Sequence, residues 1–223
     1  MKITKYNQST LLLETNNKRI LIDPSSINYS DELVNNDWTD IDAILITHKH
    51  SDHCNKEAIN TIVSRDNSKV FTSSEVSQSN DFANITIVKA GDIFSIGDIK
   101  VETTKAIHGY MTGFRESGKE IIENIGFIVD DGDVKLYTTS DTINFYNDYT
   151  CDILCMPFNG NGITLGIVDG ISFIKGIKPK FVLPVHMQHP LPHMNPNVEI
   201  LRSALEENDI NYKILSIGES IEF

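Results

Sequence analysis

The segment Thr47-His48-Lys49-His50-Ser51-Asp52-His53 holds four potential metal ligands within six residues. It directly follows the apolar run Ala43-Ile44-Leu45-Ile46, which predicts a buried strand. Side chains alternate along an extended chain, so we expect His48 and His50 to lie on one side, with the other two ligands following where the chain bends. Zinc, manganese and iron all accept imidazole and carboxylate ligands. A solvated polar loop is the alternative, but three of only seven histidines stand here, so the sequence predicts a metal site.

Length and charge limit the classes of protein to consider. A chain of 223 residues fits one domain around a single large core. A net charge of −12 argues against binding to extended nucleic acid, because that binding depends on neutralising phosphates. A small, even anionic, substrate is compatible with this charge because bound divalent cations would be positive locally. A homo-oligomer is also compatible with the sequence.

The apolar runs are short. None approaches the roughly 18 residues of a membrane helix, and Leu11-Leu12-Leu13 is too short for the core of a signal peptide. We therefore expect a cytoplasmic protein that does not enter the membrane. Cys54, Cys151 and Cys155 are an odd number of cysteines, which favours reduced thiols. Cys54 follows His53 and could approach a metal, although packing in the loop is the better explanation.

Short strands dominate the remaining pattern. Predicted strands cover 1–6, 10–14, 19–23, 43–46, 69–72, 85–88, 93–95, 99–104, 124–130, 133–138, 152–156, 180–184, 212–215 and 220–223. Predicted helices cover 31–34, 55–63, 74–80, 164–177 and 197–208. Two strand-rich halves, about 1–115 and 116–223, with helices outside them, predict an α+β fold in which two mixed sheets pack face to face as a four-layer αββα sandwich. No linker-like run separates the halves, so we expect one domain over residues 1–223.

Three further ligand candidates also follow predicted strands: His108, Asp141 and His186. A lone histidine is more often structural than a ligand, so its place after a strand alone makes His108 only a candidate. Taken alone, Asp141 before Thr142 is better explained as a helix cap.

The order of these motifs resembles the metallo-β-lactamase superfamily, in particular its small metal-dependent hydrolases related to L-ascorbate-6-phosphate lactonase. The cluster His48-x-His50-x-Asp52-His53 is similar to the signature of that superfamily. The matching segments occur in family order at residues 20–24, 48–53, 106–109, 136–142, 156–160, 183–186 and 217–221. The resemblance also predicts the αββα sandwich.

The resemblance implies roles for individual residues. His48, His50 and His108 would hold one metal and Asp52, His53 and His186 a second, with Asp141 bridging the two. Asp23 would bond to the ligand loop rather than to metal. The chain departs from the family at Ser140, where glycine usually precedes the bridging aspartate and where serine takes positive φ less easily. The implied cofactors are two divalent metal ions, zinc before manganese or iron.

Such a centre would catalyse hydrolysis. Two divalent ions can share a water and lower its pKa from about 15.7 toward roughly 7. We expect a metal-bound hydroxide to attack a small ester, lactone or phosphoester, with Asp52 orienting it and His189 or a second water protonating the leaving group. A phosphodiesterase for cyclic or short nucleotides or RNA is one alternative. A non-catalytic metal-binding scaffold or a diiron redox centre is another, although redox relatives usually carry an acidic residue in place of His50.

Candidate substrate contacts lie in loops. Residues 109–123 suit either a lid or an ordinary surface hairpin, and Tyr110 and Arg115 are its candidates for contact with substrate. Asn159, in a segment that matches the family, is a third candidate. His189 is a fourth, although an ordinary solvent-exposed loop histidine is the better explanation of it, and His193 is likewise extra to the family's ligand set.

Overall fold

Most strands and helices lie where the apolar pattern of the sequence predicts them. The computed structural model describes residues 1–146 and 148–223. In chain order, the strands are β1 (Lys2–Lys5), β2 (Leu11–Thr15), β3 (Lys18–Ile22), β4 (Ala43–Ile46), β5 (Lys69–Thr72), β6 (Ile85–Ile87), β7 (Ile93–Ile96), β8 (Ile99–Ala106), β9 (Asn124–Asp130), β10 (Lys135–Thr138), β11 (Ile153–Pro157), β12 (Phe181–Val185) and β13 (Ser220–Glu222). The helices are α1 (Asp31–Asn36), α2 (Lys56–Asp66), α3 (Ser74–Ser79), α4 (Ile167–Ile177) and α5 (Val198–Glu207), with a 3₁₀ turn at Pro192–Met194.

Two mixed sheets contain these strands. The first has the order β13-β1-β2-β3-β4-β5-β6 and the second β12-β11-β10-β9-β8-β7. Pairing is antiparallel from β13 to β3 and parallel from β3 to β6. In the second sheet, β7 to β10 pair antiparallel and β10 to β12 parallel. The chain passes from the first sheet to the second between Ile87 and Ile93, not near residue 115. The last strand, β13, returns to the first sheet.

Both faces of the central strands are buried. In β2, Leu11 and Leu13 enter the core between the sheets, while Leu12 enters a second core against the first group of helices. A third core packs Leu154 and the neighbouring strands against α4 and α5. This alternation confirms the predicted α+β sandwich, with two sheets inside and helices outside.

Local signals fix the elements beside the ligand cluster. Asn16 and Asn17 have φ of 48° and 56°, which a two-residue hairpin between β2 and β3 requires. Asn55 begins α2 because its side-chain oxygen accepts hydrogen bonds from the N–H groups of Glu57 and Ala58 at 3.1 and 3.2 Å. The helix therefore starts directly after the cluster, as predicted.

In the part of the chain that the structure describes, no helix has the length and apolar character needed to cross a membrane.

Four strands end at one edge of the sandwich, where the candidate ligands follow them. His48 follows β4 of the first sheet, while His108, Asp141 and His186 follow β8, β10 and β12 of the second. The ligands from distant parts of the chain therefore meet where the two sheets lie side by side.

Two predicted elements differ from the structure. Residues 212–215 do not form a strand, since only Tyr212 makes an isolated bridge to Val182. The alternation there instead reflects burial, because Leu215 packs between the sheets and Ile214 against the outer helices. The helix predicted from Thr164 begins at Ile167, because the preceding residues form a turn in which Leu165 N–H donates to Thr142 O at 2.8 Å.

Gly126 provides a test of the packing beside this edge. A Cβ on this β9 residue would lie 2.5 Å from Thr104 Oγ1 and 2.6 Å from Thr138 O. We expect Gly126→Ala to lower the free energy of unfolding by about 1–3 kcal/mol, because the backbone of β10 would have to move. Urea denaturation measures this change.

The matched control is Gly176→Ala in α4, where an added Cβ would meet no heavy atom within 4 Å. This change should leave stability unchanged or raise it by up to about 1 kcal/mol, because alanine favours the helix. Equal stability of the two variants would contradict the packing described here.

Candidate metal centre

Seven side chains converge at the sheet edge in overlapping groups. One group is His48, His50 and His108, a second is Asp52, His53 and His186, and a third joins His48 and His53 to Asp141. Within each group the potential ligand atoms all lie within 4.8 Å of one another. All seven residues that the sequence singled out as ligands are thus brought together.

Hydrogen bonds fix the ring of His48. Its Nδ1 lies 3.0 Å from Thr47 Oγ1 and 3.3 Å from Ser140 Oγ. Both hydroxyls donate their own hydrogen elsewhere, Thr47 to Asp23 Oδ2 and Ser140 to Asn124 Oδ1. The hydroxyls must therefore accept from His48 Nδ1–H, which leaves the Nε2 lone pair free for a metal.

Backbone carbonyls orient the other two rings of this group. His50 Nε2–H donates to Lys119 O at 2.8 Å, and His108 Nδ1–H donates to Gly109 O at 2.7 Å. A carbonyl only accepts, so the opposite nitrogen of each ring carries a lone pair. His50 Nδ1 lies 3.2 Å from His48 Nε2, a separation that suits two lone pairs sharing one cation.

The second group is built around two carboxylates. His53 Nδ1–H donates to Asp23 Oδ2 at 2.8 Å, so its Nε2 is available 3.4 Å from Asp141 Oδ2. His186 Nε2 lies 3.1 Å from Asp52 Oδ2 and 3.1 Å from Asp141 Oδ2. Asp141 therefore contacts both histidines of this group.

Unpartnered buried atoms test whether the residues fit a metal. Among the described residues, His53 Nε2, His108 Nε2 and Asp141 Oδ1 are buried and have no hydrogen-bond partner. Buried polar atoms without partners cost free energy. Divalent cations held by these atoms would satisfy all three, so the residues present fit a metal centre.

The histidines of the first group are held neutral. Burial lowers the pKa of His48 well below its ordinary value, and the charge on His53 lowers it further. Burial likewise lowers the pKa of His50 and of His108. These rings therefore offer lone pairs at neutral pH.

The second group carries compensating charges. Burial opposes protonation of His186, but Asp141 and Asp52 outweigh it and raise its pKa to about 9. Burial also opposes protonation of His53, and Asp141, Asp23 and Asp52 raise its pKa well above the ordinary value. Burial disfavours ionised Asp52 and Asp141, yet these two histidines hold the pKa of both carboxyls low.

Two positions discussed from the sequence have clear structural roles. Asp23 accepts from His53 and from both donors of Thr47, the N–H and the hydroxyl, each at 2.8 Å, which confirms that it bonds to the ligand loop. Ser140 adopts a φ of +62°, the conformation that favours glycine. Its hydroxyl offsets this strain by bonding to His48 and Asn124.

A pair of glutamates that the sequence analysis did not identify fastens the loop 109–123 to the site. Glu75 Oε2 accepts from the N–H groups of Ile122 and Glu123, both at 2.9 Å, and its Oε1 binds Lys49 Nζ at 2.7 Å. In return, the Glu123 carboxylate accepts from Glu75 N–H at 3.0 Å and from the Ser74 hydroxyl. The partners are far apart in sequence, so no local pattern indicates this clasp.

A cavity of about 540 Å³ lies over the ligands. His189 lines it, together with Asp52, Asp141 and His186. Tyr110 and Arg115 do not line it, and Arg115 instead pairs with Glu120 at 3.1 Å, with its side chain 75% exposed. The loop 109–123 reaches the cavity through Met111, Phe114, Gly118 and Lys119.

The remaining candidates have structural contacts. The Asn159 side-chain amide donates to the backbone carbonyls of His186 and Met194, so it holds the chain after β12. His193 is exposed, and its carbonyl accepts from Asn161. Cys54 is buried in the helix-side core, and that burial raises the pKa of its thiol to about 12, consistent with a packing role.

The charge pattern predicts that metal binding releases protons. At pH 7, His53 and His186 of the metal-free protein hold protons that bound metal would displace, whereas the carboxylates and the first three histidines have none to lose. We expect release of about two protons per chain on zinc binding at pH 7. Calorimetric titration in buffers of different ionisation enthalpy measures this number.

The number of protons released on zinc binding depends on pH. As pH rises through about 9, His186 of the metal-free protein loses its proton, so fewer protons are released. Apparent zinc affinity should increase over the same range. Zinc binding with no proton release at pH 7 would contradict the described charge state.

Comparison with known proteins agrees with this geometry. A family model described as the beta-lactamase superfamily domain matches residues 2–186. A UPF0173 metal-dependent hydrolase from Archaeoglobus fulgidus is 29% identical, with 100% of this chain and 99% of that protein covered. A UPF0173 metal-dependent hydrolase from Carboxydothermus hydrogenoformans is 27% identical over 99% of each chain.

A solved structure has the same fold. A metallo hydrolase from Ignicoccus hospitalis superposes with a TM-score of 0.78 at 21% identity, covering 100% of this chain and 98% of that one. Because the family model spans most of the chain and the two-sheet architecture agrees, the protein belongs to the metallo-β-lactamase superfamily and is a metal-dependent hydrolase.

Proposed function

We propose that the protein is a dinuclear hydrolase that cleaves a small carboxylic ester or lactone. The observation that carries this proposal is the pair of three-ligand groups that Asp141 adjoins. His48, His50 and His108 would hold one metal, and Asp52, His53 and His186 the other. Zinc fits the nitrogen-rich first group best, with manganese and iron as alternatives. When bound, the metals supply Lewis-acid activation of water and stabilisation of negative charge.

Asp52 is suited to orient the attacking water. Its carboxyl stays ionised, because the charge of His53 and the hydrogen bond from His186 outweigh burial and hold its pKa low. Its side chain is 21% exposed and lines the cavity, whereas Asp141 is 3% exposed. Asp52 can therefore accept a hydrogen bond from water on the substrate side.

His189 is suited to donate a hydrogen bond to the leaving group. Leu191 N–H donates to His189 Nδ1 at 3.0 Å, so the hydrogen of the neutral ring is on Nε2. Asn195 holds the backbone of His189 on both sides, accepting from its N–H at 2.6 Å and donating to its carbonyl at 2.9 Å. A ring held in this way at the cavity can donate a hydrogen bond from Nε2–H to a departing oxygen, which would take its proton from water.

The cavity lining favours an ester or lactone over a phosphodiester. Lys49 lines the cavity, but its ammonium is paired with Glu75. Among the described lining residues, Lys119 is the one other lysine or arginine, and six of the remaining lining residues are apolar. Nucleotide phosphates are usually bound by several cations or backbone donors, so this lining supports a substrate with little charge. A phosphodiesterase for cyclic or short nucleotides is the second candidate.

Metal content and turnover test the proposal. Purified protein should contain close to two metal ions per chain and hydrolyse simple lactones or esters faster than bis-p-nitrophenyl phosphate. Asp52→Ala should lower kcat by at least about 10²-fold with the fold retained, while Asp98→Ala, in an exposed turn, serves as the control. Faster turnover of the diester would favour the phosphodiesterase, and a fully active Asp52→Ala enzyme would contradict the role of Asp52.

The leaving group tests His189. We expect His189→Ala to slow hydrolysis of alkyl esters by about 10²-fold, because the departing alkoxide loses the hydrogen bond that stabilises its charge. Nitrophenyl esters should be much less affected, because nitrophenolate delocalises its own charge. His193→Ala in the same loop is the control. Equal loss with both kinds of ester would mean that His189 does not assist the leaving group.

A further inference from the structure

The metal-site cavity has an apolar lining that comes from separate loops. Ile27 follows β3, Ile163 precedes α4, and two further loops each supply two residues. The six apolar lining residues are Ile27, Met111, Phe114, Ile163, Leu191 and Met194. Four loops from distant parts of the chain thus place apolar side chains in one cavity, whereas its polar side chains come mainly from the ligand segments.

The backbone of these loops offers few donors to a polar substrate. The N–H groups of Phe114, Ile163 and Met194 each donate within their own turn, to Met111 O, Gly160 O and Leu191 O. Leu191 N–H is occupied by His189 Nδ1. Since these donors are satisfied internally, the loops present mainly their side chains to the cavity.

Phe114 brings the apolar lining next to the ligands. Its ring centroid lies 5.8 Å from that of His50 and 6.2 Å from that of His108. A group packed on Phe114 would therefore lie beside the reacting centre. Met111 and Met194 are flexible and polarisable, which allows the lining to fit different apolar shapes.

We propose that the substrate carries an unbranched alkyl or an aryl group that packs on Phe114 and Met194 while its ester or lactone carbonyl is at the metal centre. This inference rests on the proposed function and names its substrate class. The apolar group supplies binding free energy, and its attachment to the carbonyl positions the carbonyl for attack.

A chain-length series tests the inference on the metal-loaded enzyme. We expect kcat/KM for nitrophenyl esters from acetate to octanoate to rise about two- to fourfold for each added methylene, until the cavity is filled. Phe114→Ala and Met194→Ala should flatten this increase. Phe114→Leu should retain most of it, which guards against a general effect of altering the loop.

Ile122→Ala is the matched control, because Ile122 is in the same loop as Phe114, is 80% exposed and does not line the cavity. It should leave the series unchanged. The same slope in wild type and Phe114→Ala would overturn the inference, as would a wild-type series without slope.

A binding measurement separates this inference from the proposed function. Straight-chain carboxylates from acetate to octanoate should bind the metal-loaded protein with affinity that increases with chain length, followed by calorimetry. If no ester or lactone is hydrolysed but this dependence is present, the proposed function fails and the apolar site stands. If esters are hydrolysed but neither turnover nor binding depends on chain length, the inference fails and the proposed function stands.

Discussion

A single buried carboxylate joins the scaffold to the ligand loop. Asp23 directly follows β3, and its side chain is fully buried, where the loss of water is costly unless hydrogen-bond donors replace it. Three donors do so, the N–H and hydroxyl of Thr47 and the ring N–H of His53. Its backbone N–H also donates to Leu45 of β4. Thr47 precedes the cluster and His53 is its last residue. Asp23 therefore fixes both ends of the segment that contains four candidate ligands.

Many of the strands and helices were predictable from local sequence patterns. Short apolar runs predicted strands because both faces of the central strands are buried. Asn55 predicted the start of α2 because its side chain bonds to the free N–H groups of the first turn. The seven candidate ligands were identified from residue type, their place after strands and the family resemblance. Residues 212–215 show the limit of this reasoning, since burial of alternate side chains does not require a neighbouring strand.

The cavity was less predictable, because its contacts depend on tertiary structure. Arg115 is of a residue type that suits an anionic ligand. Its guanidinium instead pairs with the carboxylate of Glu120, five residues later in the chain. Asn159 uses its amide on two carbonyls of a distant segment. The clasp between Glu75 and Glu123 joins residues 48 apart in sequence. Such pairings depend on how loops fold over the sheet edge, which neither periodicity nor residue type encodes.

The bond from His50 to Lys119 also affects how such a protein can diverge. The loop 109–123 supports a ligand through a main-chain carbonyl and lines the cavity with side chains. Every amino acid carries that carbonyl, so substitutions at Lys119 preserve the bond to the imidazole. Phe114 and Met111 can likewise change without touching it. Substrate preference can therefore drift through this loop over evolutionary time while the support of His50 stays constant.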